Sequence, residues 1–202
     1  MKSTKTTAVG MKGMKKKSAL REWIEAIIIA FVLAMVIKVF IVEAFKIPTG
    51  SMRPTLLEGD LIMVNKFIYG AKLPLLDVRL PAFRQPQRGE IVVFIYPYNP
   101  KKNFIKRLVA FEGESVEIRK GTVYVNDKPL LDAAFNQRYY YNRGDFAREG
   151  QKVVVPRDSY FVLGDNSASS QDSRYWGFVP KRNLRGKAML VYWPLWRLRI
   201  IK

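Results

Sequence analysis

The apolar residues of the chain follow two patterns, which change near residue 45. Close to the start, twelve uninterrupted apolar residues run from Ala26 to Ile37, and four more follow after Lys38. As a helix, the 23 residues from Trp23 to Phe45 would rise about 34 Å, which is enough to cross a bilayer core of about 30 Å. The first pattern therefore predicts a membrane anchor over residues 22–45.

The charges around this segment predict its orientation. Residues 1–21 hold seven basic side chains and no acid, whereas residues 46–65 hold only Lys46 and Arg53 as basic groups. Because the more basic flank stays inside, we expect residues 1–21 to form a cytoplasmic tail and residues 46–202 to lie outside the membrane. The alternative is a cleaved signal peptide, but the apolar run is longer than the 7–15 residues usual there.

After residue 45 the apolar pattern becomes short and rich in β-branched and aromatic residues, which is typical of strands. The predicted strands are Leu61–Val64, Ile91–Tyr96, Phe104–Val109, Val116–Ile118, Thr122–Val125, Val153–Val155, Tyr160–Leu163 and Ala188–Trp193. No sustained 3.6-residue apolar period follows, so helices should be few. The predicted fold class is mainly β: an antiparallel sheet or barrel-like domain, preceded by one transmembrane helix.

Part of this domain reads as an insertion. Lys120-Gly121 and Asn126-Asp127 are turn signals that make residues 116–125 a hairpin. Residues 131–152 show the least pattern and are expected at the surface. We predict a small inserted subdomain over about residues 114–158.

Composition narrows the possible chemistry. The chain has no cysteine and no histidine, which excludes a thiol nucleophile, a Ser-His-Asp triad and most transition-metal sites. We therefore expect no metal and no cofactor. The net charge of +18 would suit nucleic acid, but the basic residues beyond the first 21 are scattered, and anionic lipid is an equal explanation.

One serine stands in an unusual setting. The stretch Ile47–Leu56 reads IPTGSMRPTL, in which Ser51 follows a glycine between two prolines. Such a bend can expose a hydroxyl group, although a serine in this context is usually part of a simple turn. Without histidine, a serine nucleophile would need another base, and a neutral lysine is a known alternative.

Lys106 is the lysine best placed for that role. In Asn103–Val109, NFIKRLV, a strand would put Phe104, Lys106 and Leu108 on one face. If that face is buried, desolvation lowers the pKa of the amine. The alternative is a lysine on the solvent face of an amphipathic strand.

A third element is Gly164–Gly177, GDNSASSQDSRYWG, which follows a predicted strand and is dense in hydroxyl groups and opposite charges. It can be read as a polar loop that caps itself, or as a loop that presents a hydroxyl group and an ion pair to a catalytic base.

Together these elements resemble the bacterial type I signal peptidases, membrane-anchored serine proteases that remove signal peptides from exported proteins. IPTGSMRPTL resembles the box with the nucleophile, and RGEIVVFIYP with FIKRLVAFEGE resembles the box with the lysine. GDNSASSQDSRYWGFVP resembles the last box. These motifs stand in the family's order across residues 45–180.

The resemblance implies roles for particular residues. Ser51 would be the nucleophile and Lys106 the general base, with the Thr49 hydroxyl and the Ser51 N–H as oxyanion hole. Ser170 would hydrogen-bond to Lys106 and orient it. Asp165 would pair with Arg107, and Asp172 with Arg174.

The resemblance also implies the substrate, its pockets and the location. The substrates would be signal peptides of exported preproteins, cut after a small-x-small motif on the outer side of the bacterial cytoplasmic membrane. Lipid would be a further partner, with no nucleic acid and no obligate oligomer. The pocket nearest the bond would be lined by Ile47, Met52, Leu56 and Phe104, and a second pocket by Phe45, Ile62, Val93 and Ile105.

Four features depart from the family pattern. Thr49 stands where serine is commonest, and Ser167-Ala168-Ser169 replaces a charged Arg-Asp-Asn, which puts the ion pairing of that loop in doubt. The ending Val109–Glu114 also differs from the usual Gly-Leu-Pro-Gly-Asp, and the stretch between the last two boxes is short.

Other classes remain open on the sequence alone: a tethered binding or scaffold module, a nucleic-acid-binding module, and a self-cleaving Ser-Lys repressor, against which the apolar segment argues. The end of the chain, VYWPLWRLRIIK, has two readings as well. One reading is a membrane-interface segment, because such segments mix aromatic and basic side chains, here Tyr192, Trp193, Trp196, Arg197 and Arg199. The other reading, a final strand with a frayed end, fits equally well.

Overall fold

The computed structural model describes residues 19–36, 41–70 and 80–201. The chain divides into two compact units, Met1–Val36 and Ile37–Lys202. Most of the predicted cytoplasmic tail, residues 1–18, lies outside the described residues.

The first unit is described as one helix, α1 (Ala19–Val36), whose apolar side chains are exposed along its length. No helix among the described residues is long and apolar enough to cross a membrane. The predicted helix does not continue to Phe45, and this prediction is wrong, because Val42–Lys46 forms a strand. The backbone N–H and C=O groups of Val42–Lys46 are paired with those of Leu61–Asn65. The apolar character of the segment alone could not predict this pairing.

The described residues of the second unit form twelve strands. They are β1 (Val42–Lys46), β2 (Leu61–Asn65), β3 (Ile91–Ile95), β4 (Asn103–Phe111), β5 (Ser115–Arg119), β6 (Thr122–Val125), β7 (Lys128–Pro129), β8 (Val153–Val154), β9 (Ser159–Leu163), β10 (Val179–Pro180), β11 (Leu184–Trp193) and β12 (Arg199–Ile200). All eight predicted strands are present. β1, β7, β10 and β12 were not predicted.

The main sheet is antiparallel and has the order β1-β2-β11-β3-β4-β9-β10, with β12 added to β11. The register of β11 shifts against β2 between Ala188 and Leu190 and again between Val191 and Trp193. Such bulges bend a strand and increase its twist, which lets one long strand follow a curled sheet. The predicted mainly β, antiparallel class is confirmed.

The second sheet has the order β7-β6-β5-β8 and falls within residues 114–158. Its core includes Val116, Ile118 and Phe161, and the irregular stretch 131–152 adds Phe135 and Tyr140 to it. That stretch is therefore anchored by buried aromatic rings, although it has no regular secondary structure.

Two further apolar clusters position the site. One packs β1, β2, β3 and β11 around Met52 and Leu56, and the other packs β3, β4 and β9 around Phe94 and Trp176. The only α-helix described in the second unit is the short α2 (Ser173–Trp176), in agreement with the expectation of few helices.

Candidate active site

Ser51 lies in a single 3-10 turn, Gly50–Met52, between β1 and β2. The apolar cluster holds the turn in place, because the side chains of Met52 and Leu56 are completely buried in it. A side chain at position 50 would lie 2.8 Å from the Glu58 carboxylate, which would have to move aside. The Ser51 side chain is thereby held at a fixed point, and the residue is 6% exposed.

Asn166 attaches this turn to the loop that follows β9. Its backbone N–H donates to the Ser51 carbonyl oxygen at 3.0 Å, and its side-chain amide donates to the Gly50 carbonyl oxygen at 3.0 Å. Two hydrogen bonds from one residue thus hold the Ser51 turn. No pattern in the sequence indicates this contact, because the partners are more than 100 positions apart.

Lys106 reaches Ser51 from the middle of β4. Its Nζ lies 2.7 Å from Ser51 Oγ and 2.9 Å from the Ile105 carbonyl oxygen. The residue is 4% exposed, so the alternative of a solvent-facing lysine is wrong. The Phe104 ring, whose centroid is 5.6 Å from Nζ, covers the amine on one side.

Burial changes the proton affinity of this amine. Desolvation lowers the pKa of Lys106 to about 8, although the negative charges of Asp172 and Asp165 act in the opposite direction. The positive charge of Arg174 adds to the decrease. At pH 7 a pKa near 8 leaves about a tenth of the amine neutral, compared with less than about a thousandth for a solvated lysine. The amine can therefore accept a proton near neutral pH.

The predicted hydrogen bond between Ser170 and Lys106 is absent. Ser170 is buried, and its hydroxyl group has no hydrogen-bond partner among the described residues. The amine instead uses Ser51 Oγ and the Ile105 carbonyl oxygen. A side chain at Gly164 would collide with Ser170 Oγ and lie 2.6 Å from the Ser51 carbonyl oxygen, so the Ser170 hydroxyl does lie beside the Ser51 turn.

The first predicted ion pair is present and forms a larger network. Arg107 donates to Asp165 through Nε at 2.7 Å and through Nη2 at 2.6 Å, and both side chains are almost completely buried. The same carboxylate accepts from the Thr55 hydroxyl group and lies 3.2 Å from Arg138. Arg138, which was not predicted, thus connects the irregular stretch to this ion pair.

The second predicted ion pair is also present. Arg174 donates to both oxygens of Asp172, at 2.8 and 2.9 Å, and both side chains are 0% exposed. Ser167 completes the arrangement, since its hydroxyl oxygen accepts from Arg174 Nη1 at 2.6 Å. The unusual Ser167-Ala168-Ser169 sequence therefore does not prevent ion pairing in this loop.

The predicted pocket residues do not form two separate groups. All except Phe104 belong to the single cluster around Met52, and Phe104 packs with Phe94 and Tyr96 instead. Of the eight, the five that are at most 2% exposed are Ile47, Met52, Leu56, Ile62 and Val93. Phe45, Phe104 and Ile105 keep some exposed surface. Thr49 is exposed beside Ser51 in extended backbone.

The comparisons with known proteins identify the family of this fold and site. The sequence profile of the family described as signal peptidase, peptidase S26, matches residues 20–193. The chain belongs to this signal peptidase family. The resemblance noted from the motifs is confirmed, and the chain is a serine endopeptidase of this family.

Several relatives in this family can be named. The chain is 36% identical to Signal peptidase I of Pseudomonas aeruginosa, over 90% of this chain and 76% of that one. It is 38% identical to Signal peptidase I of Leptolyngbya laminosa, over 91% of this chain and 85% of that one. A crystal structure of a signal peptidase I from Enterococcus faecalis, 34% identical, matches 52% of this chain and 97% of its own with a TM-score of 0.41.

Proposed function

We propose that the chain removes signal peptides from exported preproteins by cleaving after a small-x-small motif, with Ser51 as nucleophile and Lys106 as general base. The observation that carries the proposal is the 2.7 Å contact between Ser51 Oγ and the Lys106 amine. This distance is within the range in which a base can remove the proton of a hydroxyl nucleophile.

In the proposed mechanism, Ser51 Oγ attacks the carbonyl carbon of the scissile bond while its proton moves to neutral Lys106. The resulting ammonium then gives this proton to the leaving amine, which departs as the new N-terminus of the mature protein. An ester between Ser51 and the signal peptide remains, and Lys106 activates water to hydrolyse it. The lowered pKa of Lys106 supports both directions of this transfer.

The remaining site residues support these steps. We propose that the Thr49 hydroxyl group and the Ser51 N–H hold the developing oxyanion, which needs two donors on the side of Ser51 that faces the substrate. Phe45, Phe104 and Ile105 would be the exposed parts of the substrate pockets, with the fully buried pocket residues behind them.

We further propose that the protein acts at the bacterial cytoplasmic membrane, with the catalytic unit outside. The apolar side chains of α1 support attachment of the first unit, because they are exposed rather than packed into a protein core. The second unit has exposed apolar side chains near its C-terminus, including Trp196 at 84% exposure.

Cleavage of a preprotein by the detergent-solubilised full chain tests the catalytic assignment. We expect Ser51→Ala and Lys106→Arg each to lower turnover about a thousandfold or more, because the two residues act as a unit and arginine cannot give up its proton. Lys152→Arg is the matched control, since Lys152 is an exposed lysine that pairs with Asp127, and it should stay as active as wild type.

The outcomes separate the parts of the proposal. Substantial activity of Lys106→Arg would show that another group is the base. A wild-type enzyme that leaves preproteins intact would contradict the proposed substrate.

A further inference from the structure

A cleft of about 400 Å³ opens beside the nucleophile turn. One wall is Arg53 and Pro54, which directly follow the turn, and the floor is formed by residues 165–168. The opposite wall comes from the irregular stretch and consists of Gln137, Arg138, Tyr139 and Tyr141. The proposed catalytic steps do not use this cleft.

The cleft is directly attached to the catalytic turn. Asn166, which lines it, holds the carbonyl oxygens of Gly50 and Ser51 at 3.0 Å each. Arg138, on the opposite wall, donates to the Thr55 hydroxyl group at 2.9 Å. A chain segment bound in the cleft would therefore lie against residues that fix the position of Ser51.

The order of residues along β4 shows which part of a substrate would reach the cleft. Phe104 and Ile105, which belong to the proposed pockets for the residues before the bond, precede Lys106 on this strand. Arg107 follows Lys106 and binds Asp165, which lines the cleft. Successive residues on a strand are about 3.3 Å apart, so Lys106 lies between these pocket residues and Arg107 along β4. A substrate that extends from the pockets past Ser51 would continue toward the cleft.

The side chains of the cleft fit a peptide with an acidic residue. Tyr139 and Tyr141 are exposed, and their ring centroids are 5.1 Å apart. The Arg143 guanidinium lies 5.0 Å from the Tyr141 ring centroid and has no ion-pair partner among the described residues. Asp165 is the acid in the lining, and Arg107 and Arg138 already neutralise it. The uncompensated charge next to the Tyr141 ring, which lines the cleft, is therefore positive.

We propose that this cleft binds the first residues of the mature protein, those that follow the scissile bond, and favours an acidic over a basic side chain among them. Tyr139 and Tyr141 supply the contact surface, and Arg143 supplies the charge preference. This inference rests on the proposed function, since it assigns the cleft to the substrate of the same site.

The experiment uses peptides that share one signal-peptide end and differ after the cut. Long peptides carry eight residues there, with either Glu or Lys at the third position, and a short peptide carries two. Partly exposed ion pairs contribute about 0.2–1 kcal/mol, so favourable and unfavourable pairing together should give the Glu peptide about fivefold higher kcat/KM than the Lys peptide. Arg143→Gln should reduce this ratio to below about twofold.

Loss of the aromatic wall tests the contact surface. In the double variant Tyr139→Ser/Tyr141→Ser we expect KM for the long peptides to rise about fivefold with kcat unchanged. Cleavage of the short peptide should stay at the wild-type rate, which also shows that the variant is folded. Phe83→Ser is the matched control, because Phe83 is an exposed aromatic residue outside the cleft lining.

Equal kcat/KM values for the Glu and Lys peptides would overturn the charge preference. An unchanged KM for long peptides in the double variant would overturn the binding site. If wild type cleaves the short peptide and preproteins normally in either case, the proposed function stands and only this inference fails.

Discussion

At the scale of single residues, the site places a buried amine where proton exchange with a hydroxyl group is possible. The neutral Lys106 amine has one lone pair, to which the Ser51 hydroxyl group can donate, and one of its N–H groups can donate to the Ile105 carbonyl oxygen. Keeping the amine out of water lowers its pKa to about 8. The burial that lowers this pKa must therefore destabilise the folded protein at every pH at which the amine is protonated in the unfolded chain.

Lys106→Met tests this cost. A pKa decrease from 10.5 to about 8 corresponds to about 3 kcal/mol of lost stability, of which the lost hydrogen bonds would offset about 1 kcal/mol. We expect the variant to be inactive and more stable than wild type by about 2 kcal/mol at pH 7, measured by thermal unfolding in detergent.

The stability cost of the buried Lys106 amine should depend on pH. Between pH 8 and 10.5 the unfolded chain binds more protons at Lys106 than the folded one, so wild-type stability rises with pH in this interval. The advantage of Lys106→Met should be constant below about pH 8 and shrink as pH rises from there. Near pH 10.5 it should have reversed, with wild type more stable by the about 1 kcal/mol of its hydrogen bonds. A variant that is less stable than wild type at pH 7 would contradict this account of the buried amine.

At the scale of elements, the loop between β9 and β10 holds the site together. Asp172 caps α2 by accepting from the Arg174 N–H at 3.2 Å, and it accepts from the Gly164 N–H at 3.0 Å. Arg174 returns two hydrogen bonds to the same carboxylate and binds Ser167. The loop is thus folded around one buried ion pair, and the charges of both partners act on the pKa of Lys106.

Arg174→Met should affect both stability and catalysis. Removing one partner of a buried ion pair leaves an uncompensated charge and typically costs about 3–5 kcal/mol. Because Arg174 lowers the pKa of Lys106 and Asp172 raises it, the variant should have a higher Lys106 pKa. In wild type we expect kcat/KM to fall as pH drops through about 8, and in the variant this fall should occur at higher pH.

The matched control is Arg157→Met, because Arg157 is exposed and its nitrogen lies 3.9 Å from Asp158. It should leave both the melting temperature and the pH profile of kcat/KM unchanged. An unchanged pH profile in Arg174→Met, measured where the variant is folded, would show that the ion pair supports the loop without acting on the base.

Strands with a clear run of β-branched and aromatic residues could be predicted from the sequence. Strands that form only because a neighbouring strand pairs with them could not. β4 shows β-rich residues over its length and was predicted with Lys106 in it, whereas β10 and β12 are two residues long and exist through pairing with β9 and β11. β1 was not predicted, because it directly follows the apolar run of the predicted membrane anchor and the predicted anchor covers most of it. Among site residues, motif resemblance gave Ser51 and Lys106, but the contacts of Asn166 and Arg138 depend on distant chain segments coming together.

At the scale of the whole molecule, each unit exposes apolar side chains that a membrane could cover. In the second unit, an apolar patch is formed near the C-terminus by Trp193, Leu195, Trp196, Leu198 and Ile200. The sequence allowed this segment to be either a final strand or a membrane-interface segment. The structure has features of both, because β12 pairs with β11 as a strand while the side chains around it are exposed. The partly buried Arg197 binds Asp60, and the exposed Arg199 donates to the Thr55 carbonyl oxygen. Both guanidinium groups are thus held by the protein, and the large exposed side chains of the patch are apolar.

Site-specific labelling can test whether this patch meets lipid, because the chain has no cysteine. We would introduce Trp196→Cys in the full-length protein, attach an environment-sensitive fluorophore, and reconstitute the protein into vesicles that contain spin-labelled lipid. Val154→Cys is the matched control, since Val154 is an exposed apolar residue of the second sheet. The label at position 196 should shift to shorter wavelength and be quenched by the spin label, while the label at 154 should do neither. Since apolar contact dominates, the shift should persist at high salt, where screening removes most surface electrostatics. Equal emission and quenching at the two positions would show that the patch does not enter the membrane interface.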